Sequence, residues 1–341
     1  MALTQISDVV VPQVFTPYTQ QLTEQKARMV QSGAAVRDSR LDQDLAGGGL
    51  TFNQPSWKDL ADDADVVSTD AESDITPVKT GSATEIQVRL SRNQAWKSAD
   101  LSAELAGSDP QESVAQRVAY YWARRMQAAF VASLTGVFND NEAAPAGTEH
   151  VINDLTNDVS GGGFIDGVTN FTAEALIDAT ATMGDSLDQL ALMMVHSRVY
   201  ARMQKLNLID FIPDSRGEID IATFQGKEVV VDDALPSPSA NIFETWLFGS
   251  GAVLVGMGVP DIADEVYRLP LQGAGAGTES LISRRQWIIH PSGHRFAVAS
   301  PAAGGPSNLT TAGNLAHADS WVRVFPERKQ IKIARLITRE A

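Results

Sequence analysis

Between Asp109 and Gly136 the apolar positions recur every three or four residues. Val114, Val118, Trp122, Met126, Ala129 and Ser133 trace one side of a helix, and Tyr121, Phe130 and Leu134 widen that stripe. Pro110 suits the first helical position, Asp109 can cap it, and Glu112 completes a capping-box-like pattern. Gly136 predicts the stop. Such a helix is a rod of roughly 40 Å at 1.5 Å per residue. Its apolar side has to be covered by several elements, and other subunits are one source of them. A central helix of an ordinary enzyme domain is the plainer reading of the same rod.

Before the rod, Ile6 to Val11 is broken by Pro12 and Pro17, and Thr19 to Val30 predicts a short helix. Ser32, Gly33 and Ala34 form a turn signal, after which Leu41 and Leu45 resume apolar spacing. None of this suffices for a core, so residues 1–46 are expected to be an extended arm; the alternative is a partly ordered first layer. Gly47 to Gly49 precede the strand-like LTFNQPSW, ended or bent at Pro55. Thr84 to Leu90 alternates, with Ile86, Val88 and Leu90 on one side and Glu85, Gln87 and Arg89 on the other. Between these strands lie Asp59, Asp62, Asp63, Asp65, Asp70, Glu72 and Asp74, against Lys58 alone. A long projecting hairpin with an acidic tip follows.

Trp96 to Ala106 predicts a connecting helix or turn, and the polar residues 139–170 an exposed excursion. A second unit begins near Phe171. Thr172 caps a helix over Ala173 to Gly184, Leu190 to Val195 is a short buried strand, and Ser197 caps a helix containing Val199, Tyr200 and Met203. Ile219 and Ile221 alternate with polar positions, Glu228 to Val231 returns, and Thr245 to Gly256 makes one or two strands. After a glycine- and proline-rich stretch over 257–280, a last layer runs from Leu281 through Trp287, Ile289, Phe296 and Ile331 to Ile337.

Charge narrows the function classes. The 341 residues hold 42 acids against 27 lysines and arginines, a formal charge of −15. That argues against a surface clinging generally to nucleic acid, though not against a protein that encloses DNA while repelling it. With no cysteine there is neither disulfide nor thiolate chemistry. No run approaches 18 apolar residues and the start lacks a signal-peptide pattern, so a soluble protein folded in a reducing cytoplasm is expected. The acids of 58–76 raise a calcium site, but lack the EF-hand ligand order and its central glycine. His290 and His294 are separated by Pro291 and Gly293, which forbid a helical metal pair. Asp232-Asp233 follows a hydrophobic strand, an address for active-site acids, without a histidine or serine motif to work with. Gly249, Gly251, Gly256 and Gly258 match no nucleotide fingerprint and read as a strand with close backbone passage on either side. Arg124 and Arg125 on the rod can face DNA, a neighbour's acidic hairpin or solvent. No stretch presents a catalytic constellation.

In order, the elements resemble a tailed-phage major capsid protein of the HK97 fold. The blocks carrying the resemblance are Ile6 to Phe15, Gly47 to Phe52 with Pro55 and Trp57, and Asp109-Pro110 followed by Tyr121-Trp122-Ala123-Arg124-Arg125. His196 to Tyr200, Leu208 to Ser215 and Val230 to Pro236 complete them. The resemblance implies an α+β fold with an N-terminal arm (1–46), an extended E-loop (47–95) and a P-domain whose first part (96–170) includes the spine helix 109–136. An A-domain (171–256) and a return to the P-domain (257–341) follow. It implies a non-enzymatic subunit without cofactor or metal, assembling as hexamers and pentamers into an icosahedral shell around double-stranded DNA bound without sequence specificity. Val14, Phe15, Trp57, Asp62, Asp63, Asp65, Arg124 and Arg125 are the expected intersubunit contacts. With about 108 residues before the rod, all used by arm and E-loop, a separately encoded scaffolding protein is expected, with a portal protein, an optional decoration protein and no membrane partner. The place expected is the virion capsid, assembled in the bacterial host cytoplasm. The lysine–asparagine cross-link of the type member has no residue match here. The alternatives are an encapsulin-type compartment shell and an α/β enzyme with a site near Asp232.

Overall fold

A computed structural model describes residues 32–58, 60, 66–68, 77–106, 110–143, 153–213 and 220–341. The expected elements over Ile6–Val11 and Thr19–Val30, the contacts Val14, Phe15, Asp62, Asp63 and Asp65, and the Asp109 cap lie outside the described residues.

The organising element is helix α3. In chain order it is preceded by β1 (Ala35–Arg37), α1 (Ser39–Ala46), β2 (Thr51–Trp57), β3 (Ser82–Val88), β4 (Leu90–Ala99) and α2 (Asp100–Ala106); α3 itself spans Pro110–Ala143. Its 34 residues make a rod of about 50 Å. It does not stop at Gly136. A Cβ there would lie 2.1 Å from the Leu315 carbonyl oxygen and 2.6 Å from Trp321 Cδ1. The glycine therefore serves close packing against the C-terminal segment rather than ending the helix.

After α3 come β5 (Thr156–Asp158), α4 (Ala173–Ala181), β6 (Leu190–Val195), α5 (Ser197–Lys205), β7 (Asp210–Pro213), β8 (Asp220–Phe224), β9 (Lys227–Val231) and β10 (Ile242–Gly249). The chain closes with β11 (Val253–Gly258), β12 (Asp264–Leu269), β13 (Thr278–Pro291), β14 (His294–Phe296), β15 (Trp321–Arg323) and β16 (Ile333–Arg339).

Two sheets cover α3. In the five-stranded sheet, β13 is the long central strand. β4 pairs antiparallel along one edge, while β11 and β12 share the other, and β1 adds in parallel to β11. Trp122 reaches this sheet, its ring 5.9 Å from Trp287 and its indole N–H donating to Ser283 Oγ at 2.9 Å. The seven-stranded sheet runs β5-β16-β10-β6-β9-β8-β7. Period-two alternation divides its side chains between two cores. Leu192, Met194, Trp246 and Phe248 face α3, where Phe130 and Phe138 meet them, whereas Met193, Val195 and Leu247 face α4 and α5. Thr172 caps α4 by accepting the Ala175 N–H at 3.1 Å. At α5 the cap is His196 rather than Ser197.

Four expectations change. Trp96 to Ala99 belongs to β4, because its residues pair with Leu281 to Thr278. The excursion expected over 139–170 holds the end of α3 and β5, which pairs in parallel with β16. Pro55 sits within β2, opposite Thr84, tolerated because β2 pairs only with β3. Leu41 and Leu45 are buried in α1 against Ile288. A Cβ on Gly256 would lie 2.5 Å from Leu41 Cβ, which accounts for the glycine-bounded strand β11.

Candidate assembly surfaces

β2 and β3 form a two-stranded hairpin registered from Thr51↔Val88 to Trp57↔Ser82, and the Lys58 N–H donates to the Gly81 carbonyl at 2.9 Å beyond the last pair. Trp57 is 81% exposed at the outer end. Leu60, Val66, Val67 and Val78 beyond it are also exposed. At its root the hairpin is fixed. Both faces of β3 contribute buried side chains at the root: Ala83, Glu85 and Gln87 on one, Val88 in the main core on the other. Glu85 Oε2 lies 2.7 Å from His290 Nε2 and accepts the Gly293 N–H at 3.4 Å, and Gln87 Nε2 donates to Gln54 Oε1 at 3.0 Å. A buried carboxylate is tolerated because these partners replace water. His294 is buried too, and its Nδ1 is 3.1 Å from the Ser292 carbonyl oxygen. The histidine pair is thus internal structure.

Arg124 and Arg125 line an open cleft of about 420 Å³ on the side of α3, with Ala128, Val131, Ala234 and Asn308 among the other walls. The Arg125 guanidinium lies 5.7 Å over the Tyr121 ring. Next to the cleft, Gln127 Nε2 donates to Asp232 Oδ2 and the Ala234 N–H to Asp232 Oδ1, both at 2.9 Å. Asp233 accepts the Ser197 N–H at 3.0 Å, with His196 Nε2 3.7 Å away. Burial opposes ionisation of Asp233, but the Ser197 hydrogen bonds and His196 outweigh it and leave its carboxyl below the ordinary range. Asp232 and Asp233 therefore hold a turn and the start of α5. Among the described residues no group of three or more metal-ligating side chains gathers.

Sequence reasoning missed the charges buried around the end of α3. Arg323 Nη1 donates to both carboxylate oxygens of Asp154, at 2.8 and 2.9 Å. Arg335 sits between Glu142 and Glu244 and 4.7 Å over the Phe138 ring. Burial raises Glu244 above the usual carboxylate range, with Arg335 opposing. Asp140 is pushed up to about 7, by burial first and then by Asp319, against the pull of Arg323. Burial also lowers Arg328 to about 10. The residues responsible lie far apart in sequence, so no spacing signal could have assembled them.

No protein-family model matches the chain. The major capsid protein of Bacillus phage SPP1 is 36% identical over 335 residues, covering 96% of each chain. The chain belongs to the tailed-phage major capsid proteins. Solved structures agree on the α+β HK97-like fold. The cyanophage Pam1 capsid matches with a TM-score of 0.58 at 11% identity, covering 97% of this capsid subunit and 98% of that chain. The SrpI encapsulin of Synechococcus elongatus matches with a TM-score of 0.53 at 9% identity, covering 98% and 95%. The fold is therefore shared with an encapsulin as well as with phage capsids, and it is the 36% relative that places the chain among the latter. The capsid subunit is a structural protein, and Asp232 is part of its scaffold rather than of an active site.

Proposed function

We propose that this subunit assembles as hexamers and pentamers into an icosahedral shell enclosing double-stranded phage DNA without sequence specificity. The observation carrying this reading is 36% identity across 96% of both chains with a phage major capsid protein. The net charge of −15 suits a container that holds DNA without adhering to it. In this reading residues 1–46 are the arm, 47–95 the E-loop, 96–170 and 257–341 the P-domain, and 171–256 the A-domain. Val14, Phe15, Trp57, Asp62, Asp63, Asp65, Arg124 and Arg125 contribute intersubunit contacts. The exposed Trp57 supports this, because a large aromatic at the end of a projecting hairpin has little to bury it within its own subunit. A separately encoded scaffolding protein, a portal and an optional decoration protein are the proposed partners, with assembly in the bacterial host cytoplasm.

The test is negative-stain microscopy and mass photometry of the purified protein, with and without the candidate scaffold. Closed shells, or capsomers that close once scaffold is added, are the expected result. A persistent compact monomer or dimer in both conditions would overturn it.

A further inference from the structure

We propose that the free edge of β12 pairs antiparallel with the β12 of a second copy across a twofold axis, joining subunits of neighbouring capsomers. The proposal rests on the shell reading above and adds one named contact to it. Backbone, charge and symmetry point to the same register.

The backbone decides which residues can pair. Among the described residues β12 pairs with β13 alone and ends its sheet. Just before the strand, the Arg284 N–H donates to the Ala263 carbonyl at 2.7 Å. Bonded and non-bonded pairs alternate along an antiparallel ladder, so Glu265, Tyr267 and Leu269 exchange bonds with β13. Asp264, Val266 and Arg268 therefore aim their N–H and C=O groups at the open side. On the other edge of β13 the Asp100 N–H donates to the Gly277 carbonyl at 3.2 Å, which fixes the same alternation from the β4 side. The strand is also bare: Val266 is 60% exposed on one face and Tyr267 51% on the other.

Charge then selects the register. With Val266 opposite its own copy, Asp264 stands opposite the partner's Arg268, and Arg268 opposite the partner's Asp264. Both are pairs of opposite sign, the favourable kind across a ladder. Centring the pair on Asp264 instead sets acid against acid, and centring it on Arg268 sets cation against cation. The registers in between lose both charge pairs, and one of them brings Pro270, which has no N–H, into the ladder. Asp264 and Arg268 already meet Arg285 and Asp100 within the subunit, yet their side chains stay 48% and 65% exposed. A carboxylate and a guanidinium each have room for a further partner. A guarded edge typically carries lysines, a bulge or a proline. β12 keeps an unbroken register with β13 and contains neither lysine nor proline.

Symmetry places the contact. A patch that matches itself needs a twofold axis, whereas the subunits of a hexamer or pentamer meet head to tail. The β12 pair therefore lies between capsomers rather than within one.

Because the chain contains no cysteine, the register can be read by disulfide formation. In this pairing Glu265 faces the partner's Tyr267 as a non-bonded pair, with Cα atoms about 4.5 Å apart and within disulfide reach. Subunits carrying Glu265→Cys alone and subunits carrying Tyr267→Cys alone are co-assembled and mildly oxidised. The expected result is a cross-linked dimer in mixed shells, with several-fold less in shells of either variant alone. Adding Val266→Pro to both chains should abolish it. That change removes an N–H facing the open side and leaves the β12–β13 bonds in place, so the unassembled subunit should melt within a few degrees of its parent. Should the cysteines impair assembly, benzoylphenylalanine in place of Tyr267 gives a second readout, a photo-induced dimer joined to residues 264–268 of the other copy. Normal shells that give neither cross-link, or equal disulfide yields in mixed and single-variant shells, would overturn the pairing and leave the shell reading standing. If wild-type protein assembled in parallel formed no shells, it is the shell reading that would fall, and the pairing with it.

Discussion

Asp140 is the residue whose chemistry departs furthest from its type. Its carboxyl is pushed up to about 7 by burial near the end of α3, with Asp319 adding to the rise and Arg323 opposing it. In the unfolded chain the same group titrates near 3.8. Between those values the folded state holds a proton that the unfolded state has released, so stability falls as pH rises. The contribution is fully present below pH 4 and lost by the time pH passes about 7. Asp140→Asn removes the dependence. The variant should melt like the wild type near pH 4 and be more stable by ~1–2 kcal/mol above pH 7, after allowing for solvent screening of a partly exposed carboxyl. Thermal melts from pH 4 to 8 check this, and parallel wild-type and variant curves would sink it. Gly136 makes the opposite kind of residue prediction. Alanine is the better helix former by about 1 kcal/mol, yet its Cβ would sit 2.1 Å from the Leu315 carbonyl oxygen. Overpacking should win, with Gly136→Ala lowering stability by roughly 1–3 kcal/mol; a raised melting temperature would contradict the close packing of α3 against this segment.

Among the elements, the β2–β3 hairpin shows where pattern reading reaches its limit. The alternation over Thr84 to Leu90 was legible, and so was the hairpin. The expected apolar side is in part buried, with Val88 and Leu90 in the main core, but the burial of Glu85 and Gln87 on the polar side was not legible from alternation. Glu85 and His290 are 205 residues apart in sequence, and only the fold brings them to 2.7 Å. The strand Leu190 to Val195 and the Thr172 cap were readable because their determinants are local: a short apolar run, and a hydroxyl within reach of the third N–H. Gly136 and Trp96 misled because tertiary packing decided what glycine and an aromatic-led stretch did. Removing one member of the buried Glu85–His290 pair leaves the other without its partner. Glu85→Ala should therefore cost about 3 kcal/mol, felt first at the hairpin root. Hydrogen exchange is the discriminating measurement: amides of β2 and β3 should lose protection while β6 and β10 keep theirs. Equal loss across the molecule would mean that the pair secures the whole fold rather than the hairpin.

Among the described residues the cores are built from Ala34 onward. β1 begins at Ala35 and pairs with Val253 to Val255, α1 buries Leu41 and Leu45, and both large cores close around α3 and the seven-stranded sheet. Trp57, Val66 and Val67 are exposed on the described subunit, and surface of that kind is what assembly commonly covers. The same holds for the N-terminal segment. Its runs Ile6 to Val11 and Thr19 to Val30 are too short and too interrupted by proline to make a core. If they function as an arm, their apolar residues are buried against neighbouring subunits, each contact modest but repeated around the shell. Deleting residues 1–30 should then leave the melting temperature of the unassembled subunit within a few degrees of wild type, while negative-stain images show no regular shells. A deletion that assembles normally would remove the arm from the account of assembly; one that fails to fold would place those residues in the subunit's own core. Only stable subunits that cannot close a shell fit an arm whose stabilisation is intermolecular.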